Sequence, residues 1–171
     1  MKNIGLFAIV SIMIFACGKA DDKKNSLFSA TNNMDANNFW INTNTIAKGN
    51  AHSGLYAAKI DTSFEYGIGI AAKIDDLSTT LPQKVYVHCW VYSSVSNLNA
   101  FLVCDETQNG QTLGWENFDL KTITKNANEW IELTASYNLP KNITPDSKLS
   151  VYFWNPKKQV FFVDDFEVTL E

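Results

Sequence analysis

Hydrophobic and polar side chains alternate with a period of two along most of the chain, which is the pattern of strands with one buried face. From residue 39 onward, no helical period and no internal repeat interrupts this alternation. Clusters of Asn, Gly, Ser and Pro separate the alternating segments, as turns do. The pattern predicts strands at residues 45–48, 55–61, 66–74, 84–93, 99–105, 112–120, 129–137, 148–155 and 160–170. Nine short strands indicate an all-β fold, an antiparallel β-sandwich or jelly roll, which we expect over residues 33–171.

The start of the chain has the pattern of an export signal. Lys2 precedes an apolar run at residues 4–16, which is shorter than the ~20 residues of a membrane span. The run ends at Ala16-Cys17-Gly18, which resembles a bacterial lipobox. We therefore expect residues 1–16 to be a lipoprotein signal peptide, Cys17 to carry the lipid, and residues 17–32 to form a flexible tether. The expected location is the outer membrane, on its periplasmic face or at the cell surface. An ordinary cleaved signal with an incidental cysteine is the alternative.

Composition restricts the partners. The 171 residues include 14 basic and 18 acidic side chains, for a net charge of −4, and none of the basic residues is arginine. Phosphate recognition depends on positive charge and favours bidentate arginine. Nucleic acid is therefore not an expected partner, and neither is a polyanionic sugar.

Four segments occur in an order that is familiar from one family. They are 51–57 (AHSGLYA), 85–91 (VYVHCWV), 129–133 (EWIEL) followed by Leu139-Pro140, and 160–168 (VFFVDDFEV). With these segments, residues 33–170 resemble the carbohydrate-binding modules of the cellulase-associated CenC type, which have a galactose-binding-like jelly roll. The resemblance implies a non-catalytic binding module. It implies the fold more directly than the function, because one fold serves many ligands.

Asp164 shares the parity of Phe162 and Phe166 in the last predicted strand. A carboxylate that points into a core is costly unless it is paired, hydrogen-bonded or bound to a metal. Ca²⁺ suits such a group, because it accepts carboxylates and backbone carbonyls. The resemblance implies that a structural Ca²⁺ would use Asp35 together with Asp164 and carbonyls near residues 49–52. The alternative is that Asp164 accepts backbone N–H groups at a strand bulge.

A hairpin between segments 84–93 and 99–105, symmetric about Ser96-Asn97, would place Cys89 opposite Cys104. Directly opposite residues of a non-hydrogen-bonded pair are close enough for a disulfide, and an exported protein meets an oxidising environment. The alternative is two reduced cysteines in the core. A slip of one residue in the register would void this pairing.

The same register collects aromatic and polar side chains on the other face of the hairpin. Phe101 belongs to this face, and Asn117 and Tyr152, which share the parity of Trp115 and Trp154 in their own strands, would extend it. Flat rings stack on the apolar face of a sugar, while polar groups bind its hydroxyls. The alternative is a buried face beneath a covering loop. The candidate ligand-binding residues are Tyr86, His88, Trp90, Asp105, Trp115 and Trp154.

No catalytic pattern accompanies this face. Glycoside hydrolysis needs two placed carboxylates, and the two histidines, His52 and His88, lack the spacing of metal ligands. We expect no catalytic residue and no enzyme. The predicted function is non-catalytic binding of a neutral polysaccharide or glycoconjugate by a membrane-anchored lipoprotein. The alternative is a structural or adhesion lipoprotein whose sandwich contacts another protein.

Overall fold

A computed structural model describes residues 26–32 and 39–171 of the chain. Each predicted strand is present within a few residues of its expected bounds, and two short strands precede them. The strands are β1 Phe28–Asn32, β2 Trp40–Ile41, β3 Ile46–Lys48, β4 Tyr56–Ile60, β5 Tyr66–Lys73, β6 Lys84–Ser93, β7 Phe101–Gln108, β8 Gln111–Asp119, β9 Glu129–Asn138, β10 Lys148–Trp154 and β11 Phe161–Leu170. A single turn of helix, α1 Ile74–Leu77, and 3₁₀ turns at Thr43–Thr45 and Leu120–Thr122 connect them.

The strands form two antiparallel sheets that face each other. The six-stranded sheet has the order β3-β4-β11-β6-β9, with β1 also paired to β11, and the five-stranded sheet has the order β2-β5-β10-β7-β8. The predicted antiparallel β-sandwich is thus confirmed. Alternate side chains of both sheets fill one core, which includes Val87, Phe153 and Phe166 at 1% exposure or less. Tyr137 of β9 crosses the core, where its hydroxyl donates to the Leu102 carbonyl of the other sheet at 3.0 Å.

The domain begins earlier than the sequence pattern predicted. Phe28–Asn32, assigned to the flexible tether, form strand β1, which pairs with β11 from Phe28 opposite Leu170 to Asn32 opposite Phe166. The Asn- and Ser-rich composition concealed this strand, although Phe28 and Ala30 alternate with the polar Ser29 and Thr31. Cys17, the signal segment and Asp35 lie outside the described residues. Within the described part of the chain, no helix is long and apolar enough to cross a membrane.

The predicted hairpin of β6 and β7 is wrong. Strand β6 pairs with β11 and β9, whereas β7 pairs with β10 and β8, so the two strands belong to opposite sheets. Residues 94–100 cross between the sheets, and Leu98 and Ala100 are fully buried on the way. Cys89 and Cys104 both face the core, as the parity predicted, but they are free thiols of different sheets and form no disulfide. Burial raises the pKa of both thiols well above the usual range.

Strand β11 contains a bulge that changes which side chains face the core. The register to β6 shifts between Asp164 and Glu167, and Asp165 at the bulge has φ of +48°. Before the bulge Phe161 and Val163 belong to the core, and after it Phe166 does. The predicted core parity of Phe162 and Asp164 is therefore wrong, because the bulge interrupts the alternation. Asp164 lies opposite Trp90, on the outer side of the sheet.

Candidate functional site

The outer face of the five-stranded sheet carries five aromatic side chains, which we call the aromatic platform. Four neighbouring strands supply them, and the register places Trp154 between Tyr66 and Phe101. Trp115 lies opposite Asp105, on the strand beyond Phe101. The residues of the aromatic platform are Tyr66, Phe101, Trp115, Tyr152 and Trp154.

The rings of the platform contact one another at edges and tilts. Trp154 lies 5.4 Å from Phe101 and 6.3 Å from Trp115, between ring centroids, and the two indole planes stand at 79°. Tyr66 meets Tyr152 at 5.8 Å in an edge arrangement. Tyr66 and Trp115, at the two margins, are 50% and 46% exposed. The platform therefore presents apolar surface to solvent at both margins, while Phe101, Tyr152 and Trp154 between them are half-buried.

Val103 shows that the platform covers its own sheet. This side chain lies opposite Tyr152 and Asn117 on the outer face and is fully buried, yet it does not belong to the core between the sheets. The surrounding outer-face side chains bury it from the solvent side. The platform is thus a packed layer with a fixed shape, which reduces the entropy lost when a ligand binds.

Polar groups surround the rings. Asp105 and Ser150 are register partners, and Asp105 also lies opposite Trp115. Asn117 is exposed on β8. Burial raises the pKa of Asp105, and the nearby Lys148 ammonium partly offsets this effect. The indole Nε1 of Trp154 donates to Glu65 at 3.4 Å. A ligand on the rings would therefore meet hydrogen-bonding groups at their margins.

Small residues on β5 leave space beside the rings. Gly69 lies opposite Tyr152, and a Cβ on Gly69 would come within 2.6 Å of the Tyr152 Cβ. Ala71 follows on the same face, opposite Ser150. A pocket of about 170 Å³ opens here, with Tyr66 and Tyr152 in its wall and Lys148 at its rim.

The six predicted ligand-binding residues divide between the two faces of the sandwich. Asp105, Trp115 and Trp154 belong to the outer face of the five-stranded sheet, as described above. Tyr86, His88 and Trp90 lie on β6, on the outer face of the six-stranded sheet. They do not form one surface with the other three, because the predicted hairpin does not exist. Sequence reasoning missed Tyr66, whose position on β5 places it beside Trp154.

The outer face of the six-stranded sheet is aromatic too, but its own side chains cover part of it. The His52 ring stacks on Trp90 with centroids 3.9 Å apart and planes 12° apart, and it meets the edge of Trp130 at 5.7 Å. Tyr92 packs against Trp130 and Phe162. His88 Nε2 contacts the Glu132 carboxylate at 2.8 Å. One flat side of Trp90 is therefore unavailable for stacking on a ligand.

The bulge of β11 holds the loop that carries His52. Asp164 accepts the backbone N–H groups of His52 and Ser53 at 2.8 and 3.0 Å, and that of Asp165 at 2.8 Å. Asp165 accepts the Ser53 hydroxyl at 2.6 Å and contacts His52 Nδ1 at 2.8 Å. Burial raises the pKa of Asp164, and these backbone hydrogen bonds partly offset the effect.

These contacts give a test of the calcium expectation. The loop presents N–H donors to Asp164, whereas a cation needs oxygen ligands. Among the described residues, no group of three His, Cys, Asp or Glu side chains is placed to hold a metal. Asp35 lies outside the described part of the chain. The N–H donors around Asp164 are those that the bulge alternative expects. Calcium binding stays a prediction, which chelation can test.

No protein-family model matches the chain, and no curated protein matches its sequence. The fold is similar to several solved structures. One is the CBM22-2 xylan-binding domain of Xyn10C from Paenibacillus barcinonensis, at 19% identity over 85% of this chain and 100% of that one, with a TM-score of 0.57. A second is a xylan-binding domain of CBM 22, at 11% identity over 86% and 97% of the two chains, with a TM-score of 0.54. The chain thus has the β-sandwich fold of carbohydrate-binding modules.

Proposed function

We propose that the aromatic platform binds a neutral polysaccharide chain without cleaving it. The observation that carries the proposal is the platform itself: five rings on one sheet face, with Tyr66 50% and Trp115 46% exposed at its margins. Soluble proteins rarely leave a contiguous aromatic surface open unless it meets a partner.

The geometry of the platform suits a chain better than a single sugar. Its rings come from four adjacent strands, β5, β10, β7 and β8, which span about 14 Å at ~4.8 Å per strand interval. Trp115 and Trp154 stand nearly perpendicular, so they offer flat surfaces in two directions. A glycan that turns along its length can present successive apolar ring faces to these indoles. Asp105 can accept hydrogen bonds from its hydroxyls, and the Asn117 amide can accept or donate them.

The carboxylates near the platform support binding without catalysis. Hydrolysis needs two carboxyl groups on either side of the scissile bond. Asp105 lies opposite Trp115, Glu65 is occupied by the Trp154 indole N–H at 3.4 Å, and Asp119, opposite Phe101, accepts the Lys121 N–H at 2.9 Å. Xylan binding by the similarly folded modules adds xylan to the neutral glycans worth testing.

Electrophoresis of the protein in native gels that contain soluble xylan, mixed-linkage glucan or galactan tests the proposal. We expect retardation in at least one gel, and no release of reducing ends from the retained glycan. Unretarded migration in every gel, by a protein whose circular dichroism shows a folded β-sandwich, would refute the proposal.

Strand β9 favours a second candidate, the binding of another protein. It lies at the edge of its sheet and contains ten residues, and its ladder to β6 has no bulge. The other sheet edges are shorter, as in β2 and β3, or adjoin a bulge, as in β8. Long regular edges can accept an added strand. Light scattering after gel filtration tests whether a second copy of the chain adds to this edge. Self-association that Thr134→Pro abolishes would support the candidate, and a monomer at every concentration would oppose it.

We further propose that Cys17 carries a lipid that anchors the domain to the outer membrane. The support is the lipobox-like sequence around Cys17, followed by polar residues 18–26 that can span the distance from a membrane to the folded domain. Metabolic labelling with palmitate tests the proposal, with Cys17→Ser as the control. Equal labelling of both proteins, or of neither, would refute it.

A further inference from the structure

The pocket beside the platform differs from the platform in its chemistry. It has a volume of about 170 Å³, which is below the 300–1,000 Å³ of drug-sized sites, so it suits one side group. Tyr66 and Tyr152 line it on the platform side, Ile41 and Asn42 line it on the β2 side, and Ala71 forms part of its floor. The pocket therefore lies beside a glycan chain bound on the platform, and not beneath that glycan.

The polar lining of this pocket favours an anion. Its lining residues include Lys148 and the hydroxyl-bearing Ser150, Tyr66 and Tyr152, and none of them carries a carboxylate. The Asn42 amide nitrogen donates a hydrogen bond to the Gly67 carbonyl at 2.7 Å. Within residues 26–32 and 39–171, the Ser150 hydroxyl has no hydrogen-bond partner, although the residue is only 9% exposed. One lysine and three hydroxyl-bearing residues therefore line a pocket whose own lining residues carry no negative charge, with Asp105 next to it as the register partner of Ser150.

Of two neighbouring lysines, Lys148 is the one whose charge is not already paired with a carboxylate. Lys73 lies opposite Lys148 in the β5–β10 ladder, but its ammonium pairs with Asp146 at 3.0 Å. Lys148 forms no ion pair with a carboxylate of the described residues, and Asp105 on the other side of β10 feels its charge at longer range. A ligand carboxylate in the pocket would be a closer partner for Lys148 than Asp105 is.

We propose that this pocket receives a uronic acid side group carried by the neutral chain on the platform, with the carboxylate on Lys148. The inference rests on the proposed function, since the platform must hold the chain for the side group to reach the pocket. It agrees with the composition, because one carboxylate on an otherwise neutral chain needs one cation, whereas a polyanion would meet the net negative charge of the protein. The Ser150 and Tyr66 hydroxyls would donate to the same side group.

Calorimetric titration with a matched pair of ligands tests the inference. The probes are xylohexaose and the same hexamer with one glucuronic acid side group. We expect the wild-type protein to bind the acidic hexamer roughly three- to ten-fold more tightly, the range of a partly exposed charge-assisted contact, and the difference should shrink as salt rises. Lys148→Gln should abolish the preference and leave the affinity for xylohexaose unchanged. Lys73→Gln is the matched control and should keep the preference.

Three results would overturn the inference: equal affinities of the wild type for the two hexamers, a preference that survives in Lys148→Gln, or one that Lys73→Gln removes equally. Each of these leaves the proposed function intact, because xylohexaose still binds. If the wild type binds neither hexamer, the inference fails, and the gel panel decides the proposed function separately.

Discussion

Replacing Trp115 with alanine tests the proposed function at one margin of the platform. Trp115 lies on β8, at the edge of the five-stranded sheet, and exposes 46% of its surface. Within the platform it meets the edge of Trp154 at 6.3 Å and hydrogen-bonds the Tyr152 hydroxyl. Because the side chain is outside the core and half exposed, its removal should cost the fold little, while it removes a large apolar surface from the ligand.

The size of the effect follows from the exposed area. A tryptophan buries up to ~250 Å², so the 46% that is exposed amounts to about 115 Å². Covering all of it would contribute about 3 kcal/mol at ~25 cal/mol per Å². A sugar stacks on one side of the ring, so we expect a loss of about 1–2 kcal/mol, which is roughly a 5- to 30-fold weaker affinity. Isothermal titration with the glycan that retards the protein most measures this.

Trp90→Ala is the matched control, because it removes the same side chain from the opposite face of the sandwich. His52 covers one side of Trp90, and we expect the affinity to change less than about two-fold. The reasoning would be refuted if Trp90→Ala weakened binding as much as Trp115→Ala while both proteins stayed folded. That result would place the ligand on the face of Tyr86 and His88 instead.

Three further predictions concern groups outside the platform. Asp164→Ala should lower the free energy of unfolding by about 3 kcal/mol, since three backbone N–H groups lose their acceptor. EDTA should leave the melting temperature of the wild type unchanged. A lower melting temperature in EDTA that added Ca²⁺ reverses would instead support a calcium site. Burial raises the pKa of Glu106, which is 4% exposed, so its contribution to stability is present below pH 4 and is lost as pH rises through the folded-state value. Glu106→Gln should therefore gain stability relative to the wild type between pH 4 and pH 7 in thermal melts, and a constant difference would contradict the assignment. Cys89 and Cys104, buried and free, should react with a thiol reagent only after denaturation, and rapid reaction of the folded protein would refute their burial.

Strand positions were predictable from the sequence because alternation is a local property. In β6, Val85, Val87 and Cys89 are buried and the residues between them are not, and nothing outside the strand is needed to see this. Strands β1 and β2 were missed because their local sequence does not clearly indicate a strand. Trp40–Ile41 is too short to show a period, and Phe28–Asn32 lies in a segment whose composition is that of a tether.

Strand partners were not predictable in this way. The alternation that places Cys89 and Cys104 on core-facing positions holds equally for a hairpin and for two strands in opposite sheets. Loop length did not separate these cases, because residues 94–100 are long enough for either. The burial of Leu98 and Ala100 identifies a crossing through the sandwich, since a hairpin loop would leave such side chains exposed. The candidate site was therefore predicted in part: its residue types were right, and the pairing that assembled them was wrong.

The bulge in β11 explains why one aromatic face is partly covered while the other exposes rings at both margins. By interrupting the alternation, it moves Asp164 to the outer side of the six-stranded sheet, where the carboxylate captures the backbone of His52 and Ser53. The captured loop then lays the His52 ring on Trp90. On the other sheet the corresponding space stays free, because Gly69 and Ala71 have little or no side chain to fill it. The two faces have similar aromatic content, but a ligand can reach their rings to different extents. The cause is one extra residue in β11 and the two small residues Gly69 and Ala71, and this difference is why we assign the proposed ligand to the platform.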